Sequence, residues 1–370
     1  MSRPWFVKRQ AVRASAVQQA ARLLGAVLAA TLVGLLLFLP FDVNPLQAYW
    51  TMLSDAFFTV RGLSNTLNKT APLILVGLAT VVAWRAGFGY LGFEGCLLLG
   101  AVASTSVALQ ALPGGPLAAW PWPLLVLVCA MAAFLVGGVW AGVVAWLRVR
   151  YGGNEVLMSL MSNYLAVFLL QYLVSGPLRA PGDLPQSARL PISTWLPYLW
   201  DGGRAHAGIL LALTAALLVW HTMKHLRIGY EWVVVGLNPR AASYGGIPVG
   251  RRIMLAAFFS GGLAALAGIS DVLGSHHRLL DGMSEGVGFV GMVVALLGKL
   301  SAAGVAVSAF LYAGMTVGAD SMQRQSQVPS SVVVIVQCLI ILFVLASALL
   351  DRYRWVGWRR TATPQTREGG

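Results

Sequence analysis

The chain has 370 residues, of which 58% are apolar and 11% charged, with a mean hydropathy of +0.73. Soluble domains carry about a quarter charged residues, so a soluble globular fold is excluded and an integral membrane protein is implied. The net charge of +13 could suggest nucleic acid or acidic lipid, but the charges collect at loops and ends, where they set topology. Cys96, Cys129 and Cys338 all lie in apolar runs and read as small buried hydrophobes, which sets aside a disulfide framework or a metal cluster.

A span needs roughly 20 largely apolar residues to cross the hydrocarbon core. On that basis ten spans are predicted, near 23–40, 65–85, 90–112, 122–147, 155–175, 206–224, 253–273, 286–298, 302–322 and 330–350. The fold class is an all-α polytopic membrane protein: a basic N-terminal segment over 1–22, a transmembrane domain over 23–350 and a C-terminal tail over 351–370. Positive charge precedes the first span (Arg3, Lys8, Arg9, Arg13, Arg22), follows the fourth (Arg148, Arg150), fills the loop after the sixth (Lys224, Arg227, Arg240, Arg251, Arg252) and closes the chain (Arg352, Arg354, Arg359, Arg360, Arg367). The positive-inside rule places these segments, and so both termini, in the cytoplasm.

The first apolar run, Leu23 to Leu39, is longer than a signal-peptide core and no small-x-small site closes it, so it reads as an uncleaved anchor. The tail beyond Arg352 has no apolar face to bury and is expected to fray. Two spans are weak. The second is apolar only from Ala71 to Trp84, with Asn65, Asn68 and Lys69 ahead of it, and the eighth is crowded by Gly286, Gly288, Gly291 and Gly298.

A glycine pattern recurs around these weak places. Gly87-Phe88-Gly89-Tyr90-Leu91-Gly92 leads into Leu97-Leu98-Leu99-Gly100, and Gly286-Val287-Gly288-Phe289-Val290-Gly291 leads into Ala295-Leu296-Leu297-Gly298. Halves of five spans have opposite orientations, so the pattern suits a 5+5 inverted repeat; chance recurrence among 41 glycines is the alternative. Both copies formally match a dinucleotide fingerprint but lack the strand, helix and acidic residue that give it meaning. Helix packing is the better account, as for Gly138 and Gly142 in the fourth span. Gly298-Lys299 lacks the upstream glycine and the following Ser or Thr of a phosphate loop, so no ATP site is expected in this chain.

Between Trp84 and Gly95 a cation, Arg85, and an anion, Glu94, flank a glycine-rich break. A carboxylate beside hydrocarbon must be paired, protonated or turned to a water-filled cavity, and Arg85 is the candidate partner. Either the two mark a cytoplasmic turn, or Glu94 lines a solute path with Trp84, Arg85, Phe88, Tyr90 and Phe93, whose rings could stack on a flat or sugar-like solute. Phe289 of the second copy is placed on the same path. In the fifth span Glu155, Ser159, Ser162 and Asn163 form one polar stripe, which faces either the path, with Asn163 foremost, or neighbouring helices. His276 and His277 read as a solvated loop pair, and no catalytic constellation is present.

The runs Thr70 to Leu78, Arg85 to Gly95, Asn154 to Tyr164 and Gly236 to Val249 resemble permease subunits of bacterial ATP-binding-cassette importers. The resemblance lies within the family for branched-chain amino acids, simple sugars and nucleosides, closest to its nucleoside-type branch. It implies a multi-pass protein of the inner membrane that imports a nucleoside or related sugar-type solute by alternating access and is not itself an enzyme. It also implies ABC ATPase subunits, a second homologous permease subunit and an extracytoplasmic substrate-binding (lipo)protein as partners, with membrane lipid around it and no nucleic acid. The chain would bind no cofactor, ATP and Mg being used by the ATPase.

The loop 226–252 then corresponds to the ATPase-coupling element. Asn238 and Pro239 start a short helix, Ala241 and Ala242 allow close approach, and Gly245 and Gly246 end it, with Glu231, Gly236 and Ile247 in the same segment. Tyr90-Leu91-Gly92 and Cys96 depart from the nucleoside pattern, which bears on the solute. A same-family permease for a simple sugar or branched-chain amino acid, or an ion-coupled secondary transporter of ten spans, is the alternative reading.

Overall fold

The computed structural model describes residues 6–8, 45–182, 184–200, 202–326 and, near the C-terminus, 334–335, 338–339, 342 and 353–355. Contacts divide the chain into two units, residues 49–325 and the two ends, 1–48 with 326–370. Within the unit of the ends, strands β1 (Phe6–Lys8) and β2 (Tyr353–Trp355) pair antiparallel, so the tail expected to fray carries a short strand. The predicted span 23–40 lies outside the described residues, as does nearly all of 330–350.

The larger unit is helical. Its elements are α1 (Pro45–Phe57), which apolar counting passed over, α2 (Val60–Arg85), α3 (Phe93–Leu109), α4 (Trp122–Tyr151), α5 (Glu155–Ser175) and α6 (Gly208–His225). There follow α7 (Arg227–Leu237), α8 (Pro239–Tyr244), α9 (Val249–Ile269), α10 (Val287–Leu297) and α11 (Ala302–Ser326). Each span predicted between 65 and 322 falls on one of these helices. Six helices among the described residues are long and apolar enough to cross a membrane, while α3 and α10 are shorter.

Helix α2 is the centre of the unit. It was expected to be weak, yet it is one continuous helix of 26 residues that passes through Pro72, and every residue from Thr70 to Ala83 is buried. An all-round apolar helix is buried either in lipid or in protein, and here it is protein, since α9, α10 and α6 pack against α2. Helix α9 also packs along α4, where a Cβ on Gly261 would stand 2.2 Å from the carbonyl oxygen of Gly137. Gly138 accommodates Phe258, but nothing lies within 4 Å of a Cβ at Gly142. The pair of small residues that lets these two helices touch is therefore Gly137 and Gly261. Cys96 and Cys129 are buried and free; Cys338 is free and exposed, contrary to its sequence reading.

Two ends of the bundle can be told apart by what meets there. At one, Arg85 neighbours Lys224 and the turn Leu300 to Ala302, and Gly87 touches Gly236. We call this the coupling end, for the contact that joins α7 to the Arg85–Gly87 turn. At the other, the loop 176–207 covers the helix ends: Trp122 Nε1 donates to the Trp195 carbonyl at 2.8 Å, and Asn68 Nδ2 to the Arg204 carbonyl at 2.7 Å. This is the loop end. There α9 continues from Ser270 to His276 as a π-helical turn, a local widening of the kind that often marks functional positions.

Candidate functional site

After Arg85 the chain leaves the helix, with Gly87 at φ +70°, and resumes helical form only at Phe93. Non-helical backbone inside an apolar bundle must find partners beyond a helical ladder. Trp84 Nε1 donates to the Tyr90 carbonyl at 3.1 Å, and an Arg148 guanidinium nitrogen to the Gly87 carbonyl at 2.9 Å. The α5 stripe supplies further partners. The Leu91 N–H donates to Ser159 Oγ at 3.1 Å, and Asn163 Nδ2 donates to the Leu91 carbonyl at 3.0 Å. Asn163 Oδ1 accepts from the Gly95 N–H at 2.8 Å, one of the orphan donors in the first turn of α3. Asn163 thus caps α3 from a different helix. Glu155 pairs with Arg148 at 3.3 Å.

The aromatic residues of the break are packed on one another. Phe88, Tyr90 and Phe93 are fully buried; Phe88 stacks on Tyr90 with ring centres 5.4 Å apart, and Phe93 meets Tyr90 edge-on at 5.1 Å. The guanidinium of Arg148 lies over the Phe88 ring at 5.5 Å. Phe289, by contrast, is exposed on α10.

Glu94, in the first turn of α3, is only 6% exposed, and its carboxylate accepts a hydrogen bond from the Ser284 hydroxyl and another, at 2.6 Å, from the Gly288 N–H. Gly288 lies in the first turn of α10. The carboxylate therefore sits where the N-termini of two helices converge, and both helix dipoles favour its charge. From this junction α3 runs to the loop end and α10 to the coupling end. At 1.5 Å per residue the 11 residues of α10 cover only ~16 Å, about half of a hydrocarbon core. Arg85, the expected partner of Glu94, lies at the coupling end beside Lys224 and Ser301 and is not bonded to it. The helix termini, rather than a cation, satisfy the acid.

A cavity of about 660 Å³ opens behind this junction toward the loop end. Its wall combines Asn65, Asn68, Lys69, Pro72 and Leu73 of α2 with Asp271, Gly274 and Ser275 of the π turn, Ser284 and Glu285, and Tyr312, Thr316 and Asp320 of α11. Lys69 bonds Asp320 at 3.2 Å. None of Trp84, Arg85, Phe88, Tyr90, Phe93, Glu94, Asn163 and Phe289 is on this wall; Glu94 adjoins it through Ser284. The cavity-lining polar residues were missed from sequence, although the spacing of Asn65, Asn68, Lys69 and Pro72 places them on one helical face.

His276 and His277 also reach the cavity; His276 is exposed, as its loop reading expects, but His277 is not. His277 is buried, stacked on Trp195 with centroids 3.7 Å apart, and Arg189 covers the same indole at 5.1 Å. Burial, and secondarily the Arg189 charge, hold the His277 imidazole below its ordinary pKa, so it stays neutral in the stack.

At the coupling end, Asn238 caps α8 by accepting from the Arg240 and Ala241 N–H groups at 3.1 and 3.2 Å. Gly245 follows its last turn and Gly246 takes φ +77°, which glycine adopts without strain. The Ile247 N–H donates back to the Ala242 carbonyl at 3.0 Å. Glu231 is 3% exposed and bonds both Arg227, at 2.9 Å, and Arg252, so it ties α7 to the base of α9. A Cβ on Gly236 would lie 2.1 Å from the Arg85 carbonyl oxygen. Helix α7 is therefore seated directly on the turn that opens the break. Ala242 is buried, whereas Leu237 and Tyr244 are 81% and 94% exposed.

A helical membrane bundle with discontinuous apolar segments, a polar cavity at one end and a seated amphipathic element at the other has the architecture of a transport protein. The family model described as "Branched-chain amino acid transport system / permease component" matches residues 62–345, and the chain belongs to that family. It is a multi-pass permease of the inner membrane. The chain is 36% identical over 339 residues to the glucose ABC transporter permease protein TsgB13 of Haloferax volcanii, covering 89% of this chain and 87% of that one. It is likewise 36% identical over 319 residues to the guanosine ABC transporter permease protein NupP of Bacillus subtilis, covering 85% and 89%. The nucleoside ABC transporter permease protein NupB of Lactococcus lactis is 28% identical over 331 residues, covering 86% and 89%.

Proposed function

We propose that this chain is the membrane-spanning subunit of an ATP-driven importer, carrying a nucleoside or sugar-type solute inward by alternating access. The observation that carries the reading is the seating of Gly236 against Arg85 and Gly87, which joins the exposed α7–α8 element to the break that ends at Glu94. In this reading the coupling end is cytoplasmic and the loop end extracytoplasmic, the chain has ten spans in two inverted sets of five, and both termini are cytoplasmic. Leu237, Asn238, Ala241 and Tyr244 offer a contact surface to an ABC ATPase, which alone uses ATP and Mg. A second homologous permease completes the membrane part, and an extracytoplasmic binding protein delivers solute to the loop end. ATPase closure would push α7–α8 against the Arg85–Gly87 turn and so move the Glu94 junction beneath the cavity. Of the eight pathway residues expected from sequence, Glu94 and Asn163 would act at this junction, and Trp84 with the three buried rings would shape the break.

The decisive test is purification from native membranes in mild detergent, identification of co-purifying subunits by mass spectrometry, and uptake by the complex reconstituted in proteoliposomes. The expected result is an ABC ATPase in the complex and uptake that requires ATP. Recovery of the chain alone, with uptake that follows an ion gradient and ignores ATP, would establish the secondary-transporter alternative instead.

A further inference from the structure

We infer that Asp271 is a specificity-determining residue of the cavity and holds adjacent hydroxyl groups of a diol-bearing solute by hydrogen bonds. The inference rests on the importer reading above and names the chemistry of its cavity. Asp271 is the second residue of the π turn and stands on the cavity wall. Among the described residues no cation pairs with its carboxylate and no donor bonds it. The charges that act on it are Glu285 and Glu94, which are negative, and Lys69, which is already bonded to Asp320 at 3.2 Å.

A carboxyl group offers two oxygens side by side, and hydroxyls both donate and accept, so the neutral group that suits it is a pair of neighbouring hydroxyls. A phosphate or carboxylate group at Asp271 itself would meet like charge from Asp271 and Glu285, although Lys69, Arg204 and Arg324 share the cavity wall. The facing wall supports the same reading. Asn68 spends its amide on the loop end, donating to Arg204 at 2.7 Å and accepting from the His206 N–H at 3.1 Å. Asn65, three residues earlier on the same helix face, has its amide uncommitted among the described residues and offers one donor and one acceptor to the rest of the solute. The relatives named for guanosine and for glucose point the same way: those solutes share no ring system, yet both carry vicinal hydroxyls.

The test is ATP-driven uptake by the complete complex in proteoliposomes, with loaded binding protein of verified occupancy. Guanosine is compared with 2′,3′-dideoxyguanosine and glucose with 2,4-dideoxyglucose, neither analogue keeping a pair of adjacent hydroxyls, for wild type, Asp271→Asn and Asp271→Glu. Asn replaces one acceptor by a donor, so Asp271→Asn should lower uptake of the transported parent about 10- to 100-fold and leave its deoxy analogue within about twofold, abolishing the preference between them. Asp271→Glu, which keeps the carboxylate, should retain a measurable preference for the parent. Because binding-protein selection is the same in all three complexes, the ratio isolates the permease. Equal losses for parent and analogue in Asp271→Asn, or an unchanged ratio, would overturn the inference while leaving the importer reading standing. A wild-type complex that moves neither parent under ATP would overturn both.

Discussion

The two glycine-rich segments look like copies in sequence and fold differently. In the first, Gly87 to Gly92 is the break itself, and α3 begins only after it. In the second the helix starts at Val287, so Gly288 and Gly291 lie inside α10 and Gly298 ends it. The difference follows from where backbone partners are found. The first segment lies along α5, whose Ser159 and Asn163 side chains satisfy the non-helical chain at Leu91 and the first turn of α3 at Gly95. No such stripe serves the second segment among the described residues, and an apolar environment then forces it to satisfy itself as a helix. The same motif thus supplies a carboxylate in one copy and, in the other, the N–H that holds it.

Gly288→Ala should disturb this arrangement most. A Cβ there would stand 2.5 Å from Glu94 Cα and N, main-chain atoms that cannot step aside, so the two helix ends must separate. Overpacking costs about 1–3 kcal/mol and loss of a hydrogen bond to a charged group about 1.5–3 more. The expected outcome is a marked drop in thermal stability of the purified complex together with loss of uptake. Asn163→Ala comes next. It strands the Gly95 N–H and the Leu91 carbonyl in a buried setting, at roughly 1–3 kcal/mol for each group. Hydrogen exchange at Gly95 and its neighbours should rise while α10 stays protected; equal loosening of both segments would contradict the asymmetry.

Glu94→Gln tests the junction from its other side. One of the two acceptors becomes a donor facing either Ser284 or the Gly288 N–H, at about 1.5–3 kcal/mol. Uptake should fall chiefly in its maximal rate, with a small change in half-saturating solute, because the carboxylate bonds protein rather than solute. A loss confined to half-saturation would put Glu94 in contact with cargo.

Much of the fold was legible in the sequence because apolar run length is a local signal, and every span read between 65 and 322 coincides with a helix. The short helix α8 was legible for the same reason, since Asn238, Pro239 and Gly246 each impose their geometry on the residues next to them. The junction was not. Asn163 finds its partners 68 and 72 positions away, and Glu94 meets Ser284 and Gly288 190 and 194 positions along the chain. Arg85 looked like the partner of Glu94 because it was near in sequence, but the break turns it to the coupling end. The cavity escaped notice because its polar residues are scattered over several elements, and because a polar start to α2 read as weakness rather than as a surface facing water.

Gly89→Ala is expected to have the smallest effect, and it is the sharpest control for the comparison. In the sequence pattern Gly89 holds the place of Gly288. Yet the nearest atom to a Cβ at Gly89 is Glu155 Oε1 at 3.4 Å, an ordinary contact with the end of a side chain that can move. Gly89 is not among the glycines with positive φ, so alanine carries no backbone penalty there. Stability should shift by no more than about 0.5 kcal/mol, the range of substitutions that break no specific feature. Uptake should stay close to wild type. If Gly89→Ala instead proved as harmful as Gly288→Ala, both glycines would be needed for close approach in some other state of the transport cycle, and the asymmetry between the copies would belong to this conformation alone.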